Sequence, residues 1–379
     1  MKSKRPEILA YYFPNWHVDP LNEKWHGNGW TEWNVTKCAA PRFPGHQQPK
    51  KPLLGYEDEA NPAVMEKQID TAVRYGVDGF MFDWYYYDGP YRTRCLEEGL
   101  MKAANVDKIK FAVMWCNHDA IQAHPGSRAF PRPVLASGTA TPEIFRSVTQ
   151  YCMEHYFSHP SYLRVDGRLV FSIYNLQKMV GELGVETMRV LLEEFRHRVR
   201  QAGLGELHLN AVHVGYRYDD GNPNSDQVNA LLAVLGLDSR SGHSWSWGRT
   251  RADLPCEDYG FAAEQNIGRY RSFSQDFRLP YNPVMMPGWD SSPRTVQSDI
   301  YDLAAGYPFT TILTGSTPAQ FEKYLRKAKE FIESDAFSGN FLMLHSWNEW
   351  TEGAFLLPDE ENGWGRLEAV RKVFGAPRA

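Results

Sequence analysis

Eight short runs of β-forming residues recur along the chain with amphipathic stretches between them, and this alternation constrains the fold more than any other feature. The runs are Ile8 to Phe13, Gly79 to Trp84, Lys110 to Trp115, Leu169 to Tyr174, Leu207 to Val214, His243 to Trp247, Pro283 to Pro287 and Phe341 to Ser346. Between them lie Pro62 to Tyr75, Cys95 to Asn105, Pro142 to Phe157, Glu186 to Ala202, Ser225 to Leu235, Tyr259 to Phe277 and Pro318 to Ile332, with Arg366 to Val373 closing the chain. Such a pattern reads as βαβ units around a parallel sheet buried on both faces. Asn61, Thr141 and Thr317 each stand before a proline, which pairs a capping side chain with a first helical residue that needs no N–H.

Eight strand–helix units predict an α/β fold, a (β/α)8 TIM barrel, because an open doubly wound sheet usually has fewer strands. Such a barrel needs roughly 250 residues. The 379 present therefore suffice for one elaborated domain, residues 1–379, with 14–61 as an extended loop over the catalytic face. The sixth run is short and polar, which makes it an unusual strand. No GxGxxG or GxxxxGK(S/T) follows the first strand, which weighs against a dinucleotide-binding or P-loop protein.

Composition narrows the function classes. Lys and Arg number 41 against 46 Asp and Glu, with no long run of either sign, so nucleic acid is not an expected partner. The apolar run after the basic N-terminus stops at Pro14, too short for a secretory core or a membrane span. Five scattered cysteines without a CxxC suggest neither a disulfide framework nor a zinc ribbon, and a cytoplasmic location is expected. Twelve Trp, twenty Tyr and twenty Phe exceed what packing needs, and rings in loops beside polar residues suit the C–H faces of pyranoses.

In this fold the chemistry collects where strands end. Asn15, Trp16 and His17 follow the first run, and Asp83 and Tyr85 to Tyr87 the second. Asn117, His118 and Asp119 follow the third, Tyr174 and Asn175 the fourth, His213 and Tyr216 the fifth, Trp245 the sixth, and Trp289 and Asp290 the seventh. The eighth ends in His345-Ser346-Trp347-Asn348-Glu349-Trp350-Thr351-Glu352-Gly353. Glu349 and Glu352, three apart in a turn or helix, can face one side. Glycosidic cleavage needs such a pair, one carboxylic acid to protonate the leaving oxygen and a second to attack or stabilise the developing cation. Neighbouring tryptophans lower the local polarity and push one carboxyl toward its neutral form.

Asp83 and Asp290 are candidates for hydroxyl recognition, and Trp30 with Glu32 and Trp33 for an aromatic wall. His118 and Asp119 with Asp83 or His213 are the residues best suited to a metal. Without HxH or HExxH spacing neither a metal nor a cofactor is expected.

The segment Trp347 to Gly353 resembles the WNEW-x-EG signature of the glycoside hydrolase family 99-like, WbsX-type proteins. Gly29 to Trp33, Phe43 to Pro49, Gly76 to Phe80 and Met286 to Asp290 agree with the same family in order along the chain. The resemblance implies a (β/α)8 barrel and, as in the family's endo-α-mannosidases, retention of anomeric configuration. It makes Glu349 a base acting on the sugar's own 2-hydroxyl and Glu352 the acid/base. It further implies an oligo- or polysaccharide substrate of α-mannose or α-rhamnose type; the residues expected to bind it, from their places at strand ends and in loops, are Asp83, Tyr85, Asn117, His118, Asp119, Tyr174, His213, Trp245, Trp289, Asp290, Trp347, Asn348, Trp30 and Glu32. One departure stands out: many WbsX-type chains carry Asn-Glu after the third strand, where this one has Asn117-His118-Asp119. Two other readings stay open, a transferase of O-antigen or surface-polysaccharide assembly and a non-catalytic glycan-binding barrel.

Overall fold

The computed structural model describes residues 6–216, 224–246 and 254–375. Eight parallel strands close on themselves: β1 (Glu7–Tyr12), β2 (Gly79–Tyr86), β3 (Lys110–Trp115), β4 (Arg168–Asn175), β5 (Leu207–His213), β6 (Ser239–Ser241), β7 (Tyr281–Asn282 continued by Val284–Met285) and β8 (Phe341–Leu344). Closure is direct, since Ala10 of β1 pairs with Leu344 of β8 on one side and Phe80 of β2 on the other. Successive side chains alternate between the interior and the helical shell. Tyr11 donates its hydroxyl to Gly242 O at 2.8 Å, whereas Tyr12 reaches Gln68 on the outer helix α3 (Pro62–Tyr75) at 3.0 Å.

Around the barrel run α4 (Pro142–His155), α6 (Val185–Gln201), α7 (Ser225–Val234), α8 (Tyr259–Gly268), α9 (Tyr270–Asp276), α10 (Pro318–Ile332) and α11 (Gly365–Phe374). The three expected caps form: Asn61 accepts from Ala63 N, Thr141 from Ile144 N and Thr317 from Gln320 N. Short helices α1 (Pro20–His26) and α2 (Trp33–Cys38) lie in the long segment after β1, and α5 (Leu176–Leu183) follows β4.

Three sequence expectations change. The sixth strand lies at Ser239–Ser241, before the expected His243 to Trp247, of which Trp247 falls outside the described residues. Its hydroxyls satisfy a polar ladder inside the barrel: Ser239 and Ser241 each donate to Asn210 Oδ1 at 3.0 Å, and Arg240 stacks over Phe277 at 4.0 Å. The seventh strand begins at Tyr281 and is interrupted at Pro283, which has no N–H to give. Its first half pairs with β6 and its second with β8. The helix expected from Cys95 to Asn105 is a π-turn at Cys95–Gly99 followed by 3₁₀ turns, and at their junction Gly99 packs against the Glu59 carbonyl, where a Cβ would sit 2.2 Å from that oxygen. No helix among the described residues is long and apolar enough to cross a membrane.

Candidate active site

The last strand delivers the two signature glutamates through a small hairpin. After β8 the chain forms Asn348–Glu349, a 3₁₀ turn at Trp350–Glu352 and Ala354–Phe355, with Glu349 paired to Ala354. Ser346 Oγ accepts from Glu349 N at 2.8 Å and donates to Ala354 O at 2.7 Å. Asn348 brackets Phe13, accepting from its N–H at 2.8 Å and donating to its carbonyl at 2.9 Å. Gly353 completes the turn at φ 62, a conformation that favours glycine. A Cβ there would lie 2.8 Å from Asp290 N. The same Asp290 amide donates to Glu352 O at 2.5 Å, so the hairpin is fastened to the residues following β7.

Both glutamates line a cavity of about 440 Å³ at the C-terminal ends of the strands. Their Oε1 atoms converge on Arg294. That guanidinium donates from Nη1 to Glu352 Oε1 at 2.5 Å and from Nη2 to Glu349 Oε1. It also donates to Glu32 Oε1, from Nη2 at 2.9 Å and from Nε at 3.1 Å. Thr351 Oγ1 and Asn15 Nδ2 complete the shell around Glu32, and Tyr307 donates to Glu352 Oε1 at 2.8 Å. Among the described residues the Oε2 atoms of Glu349 and Glu352 take no hydrogen bond.

The electrostatics separates these three carboxyls. Burial pushes Glu349 well above the ordinary range; Arg294 opposes this and the charge of Glu352 adds to it. Glu352 is raised by burial too, with Arg294 and the Tyr307 hydroxyl holding it back. For Glu32 burial is outweighed by Arg294 and His124, which keep it well below the usual carboxylate range. Arg294 is held as a cation above its usual value, its burial outweighed by the surrounding acids. Glu32 thus serves as the fixed counter-charge of Arg294, and the two hairpin glutamates are both pushed toward the neutral form.

Of the other expected site residues, Asp83, Tyr85, His118, Asp119, Tyr174 and Trp289 line the same cavity. Asp83 is 6% exposed and its Oδ1 has no partner; burial and then the charge of Glu352 raise its carboxyl well above the usual range. Asp119 accepts from Gly138 N at 2.8 Å, and Trp289 Nε1 donates to Thr310 at 2.8 Å. The histidines of this region are neutral. Burial lowers His118, and lowers His243 well below its normal value and His213 to about 4, with further lowering from neighbouring histidines.

The remaining expected contacts stand behind the wall of the cavity, where they brace it. Trp347 is fully buried and donates to Gln68 at 2.9 Å, and Asn348 is committed to Phe13. Asn117 bridges to the backbone of Asn175 through bonds of 2.8 and 2.7 Å. Trp245 donates to Val284 O at 2.9 Å and, with His213, borders a neighbouring cleft. Asp290 accepts from Gln48 Nε2 at 2.6 Å and lies 2.7 Å from His46 Nε2, and Trp30 packs on His26 with ring centroids 4.3 Å apart. Glu32 touches Arg294 and not the cavity. Sequence reasoning missed Arg294, Tyr307, Arg92, His26, His124 and His243. For Arg294 a signal existed, an arginine four residues beyond Asp290 at the end of a barrel strand.

Comparison with known proteins agrees with this fold. A Bacteroides thetaiotaomicron family 99 endo-α-mannosidase superposes with a TM-score of 0.58 at 16% identity, covering 97% of this chain and 96% of that one. A glycoside hydrolase-like protein superposes with a TM-score of 0.62 at 15% identity, covering 99% and 95%. In sequence, WxcX of Xanthomonas campestris pv. campestris is 26% identical over 387 residues, covering 97% of this chain, which spans 49% of that protein's length. The match to the family described as Glycosyltransferase WbsX extends over residues 8–370, and the chain belongs to that family.

Proposed function

We propose that this barrel is a retaining glycoside hydrolase acting on α-linked mannose- or rhamnose-like glycans, with the barrel itself as the catalytic domain. The observation that carries the reading is the paired geometry of Glu349 and Glu352. One oxygen of each is tied to adjacent nitrogens of Arg294, and each is pushed toward the neutral form while its other oxygen has no hydrogen-bond partner among the described residues. An acid needs a retained proton at an open oxygen, which burial of Glu352 supplies. Once Glu352 is neutral its charge no longer raises Glu349, and Arg294 opposes the burial that still does. Glu349 then takes a proton from the substrate's 2-hydroxyl as that oxygen closes onto the anomeric carbon. Glu352 protonates the departing oxygen and afterwards deprotonates the water that attacks the anomeric carbon, while Glu349 returns its proton to the 2-oxygen as the anhydro ring opens. Asp83, Tyr85, His118, Asp119, Tyr174 and Trp289 are proposed to hold the glycan.

The test is purified protein on α-mannan, α-rhamnan and O-antigen fragments, with Glu352→Gln alongside. The substitution is expected to lower kcat/KM, which reports the first step, on natural linkages by ~10²-fold or more, and by much less on an aryl glycoside whose leaving group needs no proton. Equal losses on both would refute the acid role. The family's description as a glycosyltransferase favours a second reading, sugar transfer from an activated donor, and turnover of nucleotide sugars with no hydrolysis would establish it instead.

A further inference from the structure

Arg92 is a buried cation on the cavity wall with no carboxylate within ion-pair distance among the described residues. It follows β2, is 8% exposed, and its guanidinium lies over the rings of Tyr91 at 4.6 Å and of Phe13 and Tyr85 at 5.0 Å each. Its Nε is buried without a hydrogen-bond partner. The polar group it does engage is the Tyr91 phenol, which is neutral. Its backbone sits at φ 60, a left-handed conformation that residues other than glycine seldom adopt. Asp19 holds that backbone by accepting from Arg92 N at 3.1 Å and from Leu21 N at 2.8 Å, so its carboxylate is committed to main-chain groups.

The phenols and the more distant Glu32 favour this charge, but no carboxylate among the described residues pairs with it directly. Glu32 is matched by Arg294, and Asp83 is driven toward its neutral form. His26, His118 and His124, on the same wall, are neutral through burial, with the field of Arg92 lowering them further. From this arrangement we infer, on the footing of the glycosidase reading above, that the substrate carries a carboxylate-bearing sugar whose acid group meets the Arg92 guanidinium. A carboxylate presents two in-plane oxygens to the guanidinium fork, whereas a neutral pyranose offers only hydroxyls. The rings that hold the cation also give the sugar an apolar face to rest on. A nucleotide diphosphate fits less well, because it brings at least two charges to a wall with one unpaired arginine.

The deciding experiment is calorimetric titration of the intact protein with D-mannuronate, D-mannose, D-mannose 6-sulfate and GDP-mannose, which does not depend on turnover. Mannuronate is expected to bind at least ~10-fold tighter than mannose, the scale of one charged hydrogen-bonded contact. The advantage should shrink as salt is added. Arg92→Gln should abolish it and Arg92→Lys should retain part of it, with thermal melting confirming that both variants fold. If the Gln variant does not fold, the Lys variant and the wild-type comparison still decide. Equal affinity for acid and neutral sugar, no binding of either, or tighter binding of the sulfate or the nucleotide sugar would overturn the inference. Selective mannuronate binding without hydrolysis of any glycan would sink the hydrolase reading alone.

Discussion

Arg294 Nη1 lies 2.5 Å from Glu352 Oε1, although the arginine follows the seventh strand and the glutamate the eighth. Because the same cation also holds Glu349 and Glu32, its loss leaves three buried acids facing one another. Arg294→Met is expected to destabilise the fold by about 3–5 kcal/mol, the cost of breaking a buried ion pair from one side. A denaturant midpoint equal to that of wild type would contradict this. Arg294→Lys keeps the charge without the fork and should retain most of the stability while losing ~10²-fold in rate.

Tyr307 donates to the same oxygen of Glu352 and helps hold that carboxyl down against its burial. In Tyr307→Phe the Glu352 carboxyl should rise further. The proposed mechanism needs Glu352 protonated, so activity is expected to fall as pH climbs through its value. The alkaline limb of the kcat/KM profile is therefore expected to move to higher pH in the variant. A limb that stays put or moves down would mean that another group sets it.

Asp83 titrates higher in the folded chain than in the unfolded one, so between the two values the native state binds more protons. Its contribution is then fully favourable below about pH 4, the unfolded value, and is lost as pH rises toward the folded one. Asp83→Asn removes that dependence. Its melting temperature relative to wild type should climb steadily from pH 4 upward, and a difference that is flat with pH would show that the carboxyl is not held neutral.

Gly353 combines a left-handed backbone with no room for a side chain, since a Cβ would meet backbone and Cβ atoms of Asp290. Gly353→Ala should cost about 1–3 kcal/mol. It should also slow turnover, because the bond from Asp290 N to Glu352 O spans the crowded spot. Loss of stability without loss of rate would indicate that the hairpin relaxes harmlessly.

Much of the scaffold was legible in the sequence. Helices α3 and α10 run over Pro62–Tyr75 and Pro318–Ile332 as their proline starts and apolar periodicity indicate. Strand β6 was not, because Ser239, Arg240 and Ser241 are buried by hydrogen bonding and ring stacking, to which hydropathy is blind. At the site, a motif shows which residues cluster in sequence but not which way each one turns. Trp347 and Asn348 share the segment of Glu349 yet point into packing, and Arg294 joins the acids only through tertiary folding. Asp290 and Glu32 are similarly placed one layer behind the cavity, gripping the groups that touch it.

The hydrogen bonds around these acids span nearly the whole polypeptide, 319 residues from Glu32 to Thr351 and 335 from Phe13 to Asn348. On the ribosome, every strand but the last can emerge and begin to pack while the acidic cluster is still missing two of its members. Contacts so distant in the chain form late and slowly. A partly folded or prematurely terminated molecule therefore exposes an incomplete barrel but never the assembled cluster of acids, and the proposed chemistry is confined to molecules that have finished folding.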